Sequence, residues 1–240
     1  EVASFTAAII TSVTQLATAT KEYLGAHVHG VAPDRALFLQ EQSKALIDDR
    51  VIVLGATPLP PLEGALVIDV ESDPLRELHY LIGVLETDTG TYKTFLAKQP
   101  SEEAAMWKEF CSYLATFRLS DFPTIFHYGW YEVDVFRTLA ERHGIPADVK
   151  AMLAKSMVDI LTPMRDHVIF PLSFYSLKDV AKYLGFAWRT ADASGMDSVG
   201  WYEAWLSTGN QTELASIVNY NEDDVRATWH VIRWLATHDS

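Results

Sequence analysis

The sequence predicts an α/β fold in which a sheet that opens with an antiparallel hairpin carries packed helices. Three observations predict it. GALVIDVE at 64–71 is a buried-strand run; two further strand patterns, 77–87 and 91–97, flank the turn residues DTGT at 88–91; and the remainder holds one short strand pattern followed mostly by helical periodicity. The chain has 240 residues, 49% of them hydrophobic and 21% charged, which is enough to bury a large core and excludes disorder as the main state. This length allows one large domain, or one domain with a helical appendage.

The elements follow in order. Residues 4–22 place Ala7, Ile10, Val13, Leu16 and Ala17 at helical spacing and predict a first helix; 35–48 predict a second. Residues 51–64 hold three prolines and two glycines, which break regular structure and set a boundary near residue 60. Residues 1–60 are therefore expected to be a helical adaptor or linker that leans on the rest of the chain or on upstream sequence, with 61–240 as the main domain. After the three strands, Ser101 followed by two glutamates predicts a helix start for 101–117. Residues 123–129 read as a short strand and 131–144 as a helix stopped by Gly144. Residues 148–156, 176–184 and 198–207 read as helices. Residues 211–237 read as one long final helix, either continuous or broken by a turn.

Composition narrows the function. The net charge of −13 argues against a broad basic face for non-specific nucleic-acid binding, and it is compatible with a cation site built from carboxylates. A single cysteine, Cys111, excludes a disulfide framework and a cysteine-built zinc site and fits a reducing, cytoplasmic compartment; it falls on an apolar helix face and reads as core. No run of about 18 uncharged apolar residues predicts a membrane span. Residues 4–20 lack the basic start and cleavage signature of a signal peptide. The chain begins at Glu1 rather than Met, as expected of a trimmed chain or a piece of a longer protein.

Three acidic groups are candidates for metal chemistry. Asp69 and Glu71 end a hydrophobic strand, and alternate residues of a strand project from one face, so both carboxylates point the same way. Hard divalent cations such as Mg2+ or Mn2+ take oxygen ligands of this kind. Tyr220 and Asp224 lie four apart on the final helix and share a face, whereas Glu222 and Asp223 point elsewhere. Glu132 and Asp134 open a helix after the strand ending in His127. Each group has a plain structural reading as well: a strand exiting into solvent, a solvated helix face, and acids at a positive helix end.

Their order along the chain resembles the DEDD superfamily of RNase H-like (DnaQ-like) nucleases, in the subclass with tyrosine in its third motif. Among those, the chain is most similar to the RNase H-like domain of predicted RecB-family nucleases. The resemblance runs from about residue 64 to the end and rests on VIDVESDP, IFHYGWYE, FYSLKDVAKYLGFAWR, SGMDSVGWYEAWLSTGN and YNEDDVRATWHVIRWL. It implies an RNase H-like mixed sheet, with an antiparallel hairpin start and then parallel strands, flanked by helices and preceded by an N-terminal helical extension. It implies that Asp69, Glu71 and Asp224 ligate metal and that Tyr220 orients the attacking water. The second motif usually carries an aspartate after an aromatic; here Tyr131-Glu132 stands in that place, so the role falls to Glu132, with Asp134 as its substitute and Asp223 as the substitute for Asp224. Two ions about 3.5–4 Å apart would then serve phosphodiester hydrolysis. The implied partner is DNA or RNA, single-stranded or at a 3′ end, trimmed 3′→5′, together with other domains of a longer nuclease or helicase protein.

The remaining polar and aromatic residues divide between site and scaffold. Lys178, in a helix that Ser176 can cap, is a candidate for the scissile phosphate; with Lys182 and Arg189 it forms the expected local nucleic-acid patch. Trp130 and Tyr131 are candidates for stacking on unpaired bases. Trp188, Trp201, Tyr202 and Trp205 read as core. His127 and His230 read as structural, and Asp159 reads equally as a further acid lining the cleft or as a helix or strand cap. Two competing readings stand beside the nuclease: a non-catalytic nucleic-acid-binding or scaffolding module of a larger helicase–nuclease protein, and a metal-dependent phosphatase, which lacks a phosphate-cradling glycine loop here.

Overall fold

The computed structural model describes residues 1–118, 122–191 and 193–238. The chain opens with α1 (Val2–Ala7), α2 (Val13–Thr18), α3 (Lys21–His27) and α4 (Pro33–Asp48), then β1 (Ile52–Val53). The sheet strands β2 (Leu66–Asp73), β3 (Leu78–Glu86) and β4 (Thr91–Leu96) follow, then α5 (Glu103–Leu114), β5 (Ile125–His127), α6 (Tyr131–His143), α7 (Ala147–Ser156) and β6 (Met157–Asp159). The chain continues through α8 (Leu161–His167), β7 (Val168–Ile169), α9 (Leu177–Tyr183), α10 (Gly195–Thr208) and α11 (Gln211–Thr237).

The five-stranded sheet has the order β4-β3-β2-β5-β6. Strands β2, β3 and β4 form an antiparallel meander, while β5 runs parallel to β2 and β6 parallel to β5. The expected mixed sheet, antiparallel first and parallel afterwards, is what the chain forms. Central strand β2 is covered on both faces, which explains its near-continuous hydrophobic run. Leu66, Ile68 and Val70 face α5 and α6, where they meet Trp107, Phe110, Leu114, Phe136 and Leu139. Val67 faces the opposite way, with Phe126, toward Val225, Val231 and Ile232 of α11. Asp69 and Glu71 continue the Val67 row and so stand on the α11 face.

Two local expectations are corrected, and the alternative left open for the final helix is resolved. The helix expected over 4–22 is three short ones. Ile9 adopts a left-handed backbone (φ 61), which ends α1, and the hydroxyls of Ser12 and Thr20 accept from the amides of Gln15 and Tyr23 to start α2 and α3. The start near Ser101 is capped instead by Gln99, with Glu102 reaching back to the Gln99 amide, and a short 3₁₀ turn, Pro100–Glu102, precedes α5. The final helix is continuous over 27 residues, because Ile217, Tyr220, Asp224, Thr228 and Val231 present one buried row to the sheet along its length. Short β6 and the two-residue strands β1 and β7, which pair antiparallel with each other, carry no sequence alternation and were not expected.

The N-terminal helices pack around their own cluster of Phe5, Ala8, Ile10, Leu24, Val28 and Ala36. Residues following α4 lie against the sheet: Val51, Leu59 and Leu62 pack on the α11-side core, and the Tyr183 hydroxyl donates to the Asp49 carbonyl. Among the described residues no helix is long and apolar enough to cross a membrane. Phe110 is fully buried between the sheet and α6, against Phe95, Trp107 and Phe136. Phe110→Ala is expected to lower unfolding free energy by about 3–5 kcal/mol, read from a urea midpoint shift at unchanged slope.

Candidate active site

Strand parity and one helix crossing build the site. Asp69 and Glu71 project from β2, and α11 crosses that face of the sheet carrying Asp224. One carboxylate oxygen of each of the three lies within 4.8 Å of the others. Glu71 and Asp224 are buried and Asp69 is half-buried. The acids do not end the strand as expected: the β2–β3 register shifts between Glu71 and Ser72, and pairing resumes through Asp73, so an irregularity in the ladder lies next to the acids.

Neutral donors surround these acids. The Trp188 indole Nε1–H donates to Asp224 Oδ1 at 2.6 Å. The Asn221 side-chain amide donates to Asp69 Oδ2 at 2.7 Å and to Glu71 Oε1 at 3.3 Å, and its Oδ1 accepts from the Tyr92 hydroxyl at 2.8 Å. Gly83 stands opposite Asp69 across the ladder, and a Cβ there would fall 1.7 Å from Asn221 Oδ1. Sequence reasoning missed Asn221, Gly83 and Tyr92. The asparagine lay in plain view inside YNEDD, but an amide among acids carries no metal-ligand signal of its own.

Burial and mutual repulsion dominate the electrostatics. Burial, then the charges of Asp224, Glu71 and Glu132, push the Asp69 carboxyl well above the ordinary range. Burial and the Asp224 charge raise Glu71 to about 8. Burial raises Asp224 to about 6, against the Trp188 hydrogen bond and the Lys178 charge, which act to lower it. The Tyr220 hydroxyl is pushed far up by burial and by the charges of Asp224, Glu71 and Asp69, so it stays a protonated phenol. It can orient a water; it is a poor acceptor of that water's proton.

The other predicted residues separate clearly. Glu132 is buried in the first turn of α6, its Oε2 has no hydrogen-bond partner, and it lies 3.6 Å from His127 Nδ1, which donates to the Gly129 carbonyl. It is outside the group of three, yet its charge reaches Asp69. The four-carboxylate cluster expected from sequence is therefore three acids, with Glu132 acting on them through its charge alone. Asp134 is exposed and paired with Arg137, and Asp223 accepts from the Arg189 amide and guanidinium, so neither substitute faces the cluster. Lys178 Nζ is buried without a hydrogen-bond partner, 4.7 Å from the Tyr220 ring centre and 5.9 Å from that of Trp188.

The expected basic patch of Lys178, Lys182 and Arg189 does not form. Lys178 is turned inward, and Arg189 is consumed by Asp223, Glu222 and Asn219; Lys182 alone of the three is a free-standing exposed cation among the described ion pairs. Trp130 is exposed and lines a groove between α6 and α7 with Arg137 and Lys150, while Tyr131, half-exposed, senses the charges of Glu71, Asp69 and Glu132. Trp188 and Tyr202 are buried, and Trp205 donates to the Lys98 carbonyl. Asp159 caps α8 through the amides of Leu161 and Thr162 and also accepts from the Gly129 amide; His230 donates to the Leu184 carbonyl.

The raised carboxyls set a pH dependence. The folded chain holds these protons more tightly than the unfolded chain, so this contribution to stability is fully present below about pH 4 and is lost as pH rises through about 6 for Asp224 and about 8 for Glu71. In EDTA, unfolding free energy is expected to fall from pH 5 to pH 8, and Glu71→Gln is expected to flatten that slope, measured by denaturant titration at each pH.

Three carboxylates in one cluster, with the unpartnered Glu132 oxygen within range of the Asp69 charge, are hard oxygen donors of the kind a divalent cation takes. A comparison with curated proteins and one with solved structures give no match. A family model described as RNase_H superfamily matches residues 66–236, from the start of β2 almost to the end of α11. The match spans all five strands of the sheet and the three clustered acids, and the chain belongs to the RNase_H superfamily.

Proposed function

We propose that the protein is a divalent-metal-dependent nuclease of the DEDD type, DnaQ-like and close to the predicted RecB-family nucleases, that hydrolyses phosphodiester bonds of DNA or RNA by 3′→5′ trimming. The observation that carries this reading is the convergence of Asp69, Glu71 and Asp224 on one point, with Tyr220 one helical turn before Asp224. Membership of the RNase_H superfamily supports nuclease activity as the class.

In this reading Asp69, Glu71 and Asp224 hold Mg2+ or Mn2+, two ions in the full site, with Glu132 as the fourth ligand. A cation held there would supply a water of lowered pKa and charge stabilisation for the leaving 3′ oxygen. The protonated Tyr220 hydroxyl aims the attacking water. Lys178, a buried ammonium without a partner, meets a non-bridging phosphate oxygen and stabilises charge that builds there. Trp130 and Tyr131 offer rings to unpaired bases at the rim. The partners are a nucleic-acid strand with a free 3′ end and further domains of a longer nuclease or helicase protein.

The test is cleavage of 5′-labelled single-stranded DNA and RNA with Mn2+, Mg2+ or EDTA. A metal-dependent ladder shortening from the 3′ end is expected. Asp69→Ala or Asp224→Ala is expected to cost roughly 10³-fold or more, because the ligands act as a unit. Glu132→Gln should slow cleavage while Asp134→Asn leaves it unchanged. Lys178→Met should lower kcat by about 10²-fold. Metal binding without cleavage of either strand by the wild type would overturn the enzyme reading in favour of a nucleic-acid-binding module.

A further inference from the structure

We infer that Asn221 is a positioning residue: its side-chain amide, aimed by Tyr92 and seated in the space that Gly83 leaves, holds the Asp69 and Glu71 carboxylates in the arrangement that receives a cation. This inference rests on the metal-dependent reading of the site.

Asn221 is fully buried, one residue after Tyr220 and three before Asp224, so the helical turn that brings Asp224 to the sheet also brings the amide. Its Nδ2 spans both acids of β2, taking one oxygen of each. The amide nitrogen faces both acids, and with a cation bound the ionised carboxylates can only accept, so this orientation serves the metal-bound state. A lysine or arginine there would also bind them, but it would neutralise the charge that the cation needs. A neutral amide orders the acids and leaves their charge in place.

The amide could serve only if its orientation is fixed. Its Oδ1 accepts from the Tyr92 hydroxyl at 2.8 Å, which commits the nitrogen to the opposite side. Space for both groups comes from Gly83. A Cβ at that position would lie 1.7 Å from Asn221 Oδ1, and 2.9 Å from both Asn221 Cγ and the Tyr92 hydroxyl oxygen. Gly83 sits inside a strand, where glycine weakens the sheet, and its backbone has no positive φ that would require it. Close approach of the amide is the reason that remains. Three adjacent strands thus contribute to one hydrogen-bonded unit: β2 the acids, β3 the gap and β4 the hydroxyl.

The test measures Mn2+ affinity by calorimetry and thermal shift in the wild type, Asn221→Leu, Tyr92→Phe and Gly83→Ala, with kcat and KM measured separately. Asn221→Leu keeps the side-chain volume and the helix while removing the amide. Expected is a Mn2+ affinity roughly 10–100-fold weaker in Asn221→Leu and Gly83→Ala, a smaller loss in Tyr92→Phe, and lower kcat at unchanged KM for the nucleic acid. A purely structural role would lower the melting temperature without moving Mn2+ affinity. Wild-type affinity in Asn221→Leu overturns the inference; if that variant does not fold, wild-type affinity in Tyr92→Phe overturns it. A wild type that binds no Mn2+ overturns the metal-dependent reading itself, and this inference with it.

Discussion

Repulsion among buried carboxylates is the constraint to which the rest of the structure around the site answers. Asp69, Glu71 and Asp224 share a space less than 5 Å across, and burial alone already raises each of them. An acid cluster of this kind is unfavourable in the folded chain unless something offsets it. The chain meets it with dipoles rather than counter-charges: an indole N–H on Asp224 and an amide on Asp69 and Glu71. Lys178, whose charge reaches Asp224 and Glu71, makes no hydrogen bond and faces the Tyr220 and Trp188 rings. The negative charge is thereby arranged rather than cancelled.

The scaffold makes that arrangement rigid. Strand β2 is central and packed among hydrophobic neighbours, so the two acids in its second half have little freedom. Helix α11 is long and unbroken, and its apolar row on the sheet fixes the rotation at which Asp224 arrives. Arg189 pins the far side of the same helix through Asp223, Glu222 and Asn219. Cation–carboxylate pairing is thus spent on orienting α11, on the side away from the cluster, and Asp223, the expected alternate for Asp224, serves with Glu222 as its anchor.

What the sequence disclosed follows the strength of each local signal. The hydrophobic run of β2 and the hairpin beyond it announced the sheet, and strand parity alone placed Asp69 and Glu71 on one face. The i, i+4 spacing of Tyr220 and Asp224 gave their shared face. Strands of two or three residues, such as β1, β6 and β7, are too short to show alternation, and they form because partners elsewhere complete their hydrogen bonds. Lys178 and Arg189 looked like one basic surface because charge is visible in sequence while direction is not; α9 turns one inward, and α11 captures the other. Asn221 and Gly83 were silent because their meaning lies in a contact between residues 138 positions apart.

The same charge logic bears on how an acidic chain meets a polyanion. With a net charge of −13 and Arg189 engaged internally, the approach of a phosphate to this cluster is opposed by the carboxylates themselves. In the proposed reading the cation resolves this: the acids repel phosphate when alone and attract it through bound metal. Binding of metal and of nucleic acid must then be thermodynamically linked, each strengthening the other by the same factor. Lys178, placed beside Asp224 but not bonded to it, contributes positive charge on the side where the phosphate would arrive. A site built this way discriminates against empty-handed binding, because the features that make it hostile to a phosphate without metal are those that make it a ligand set with metal.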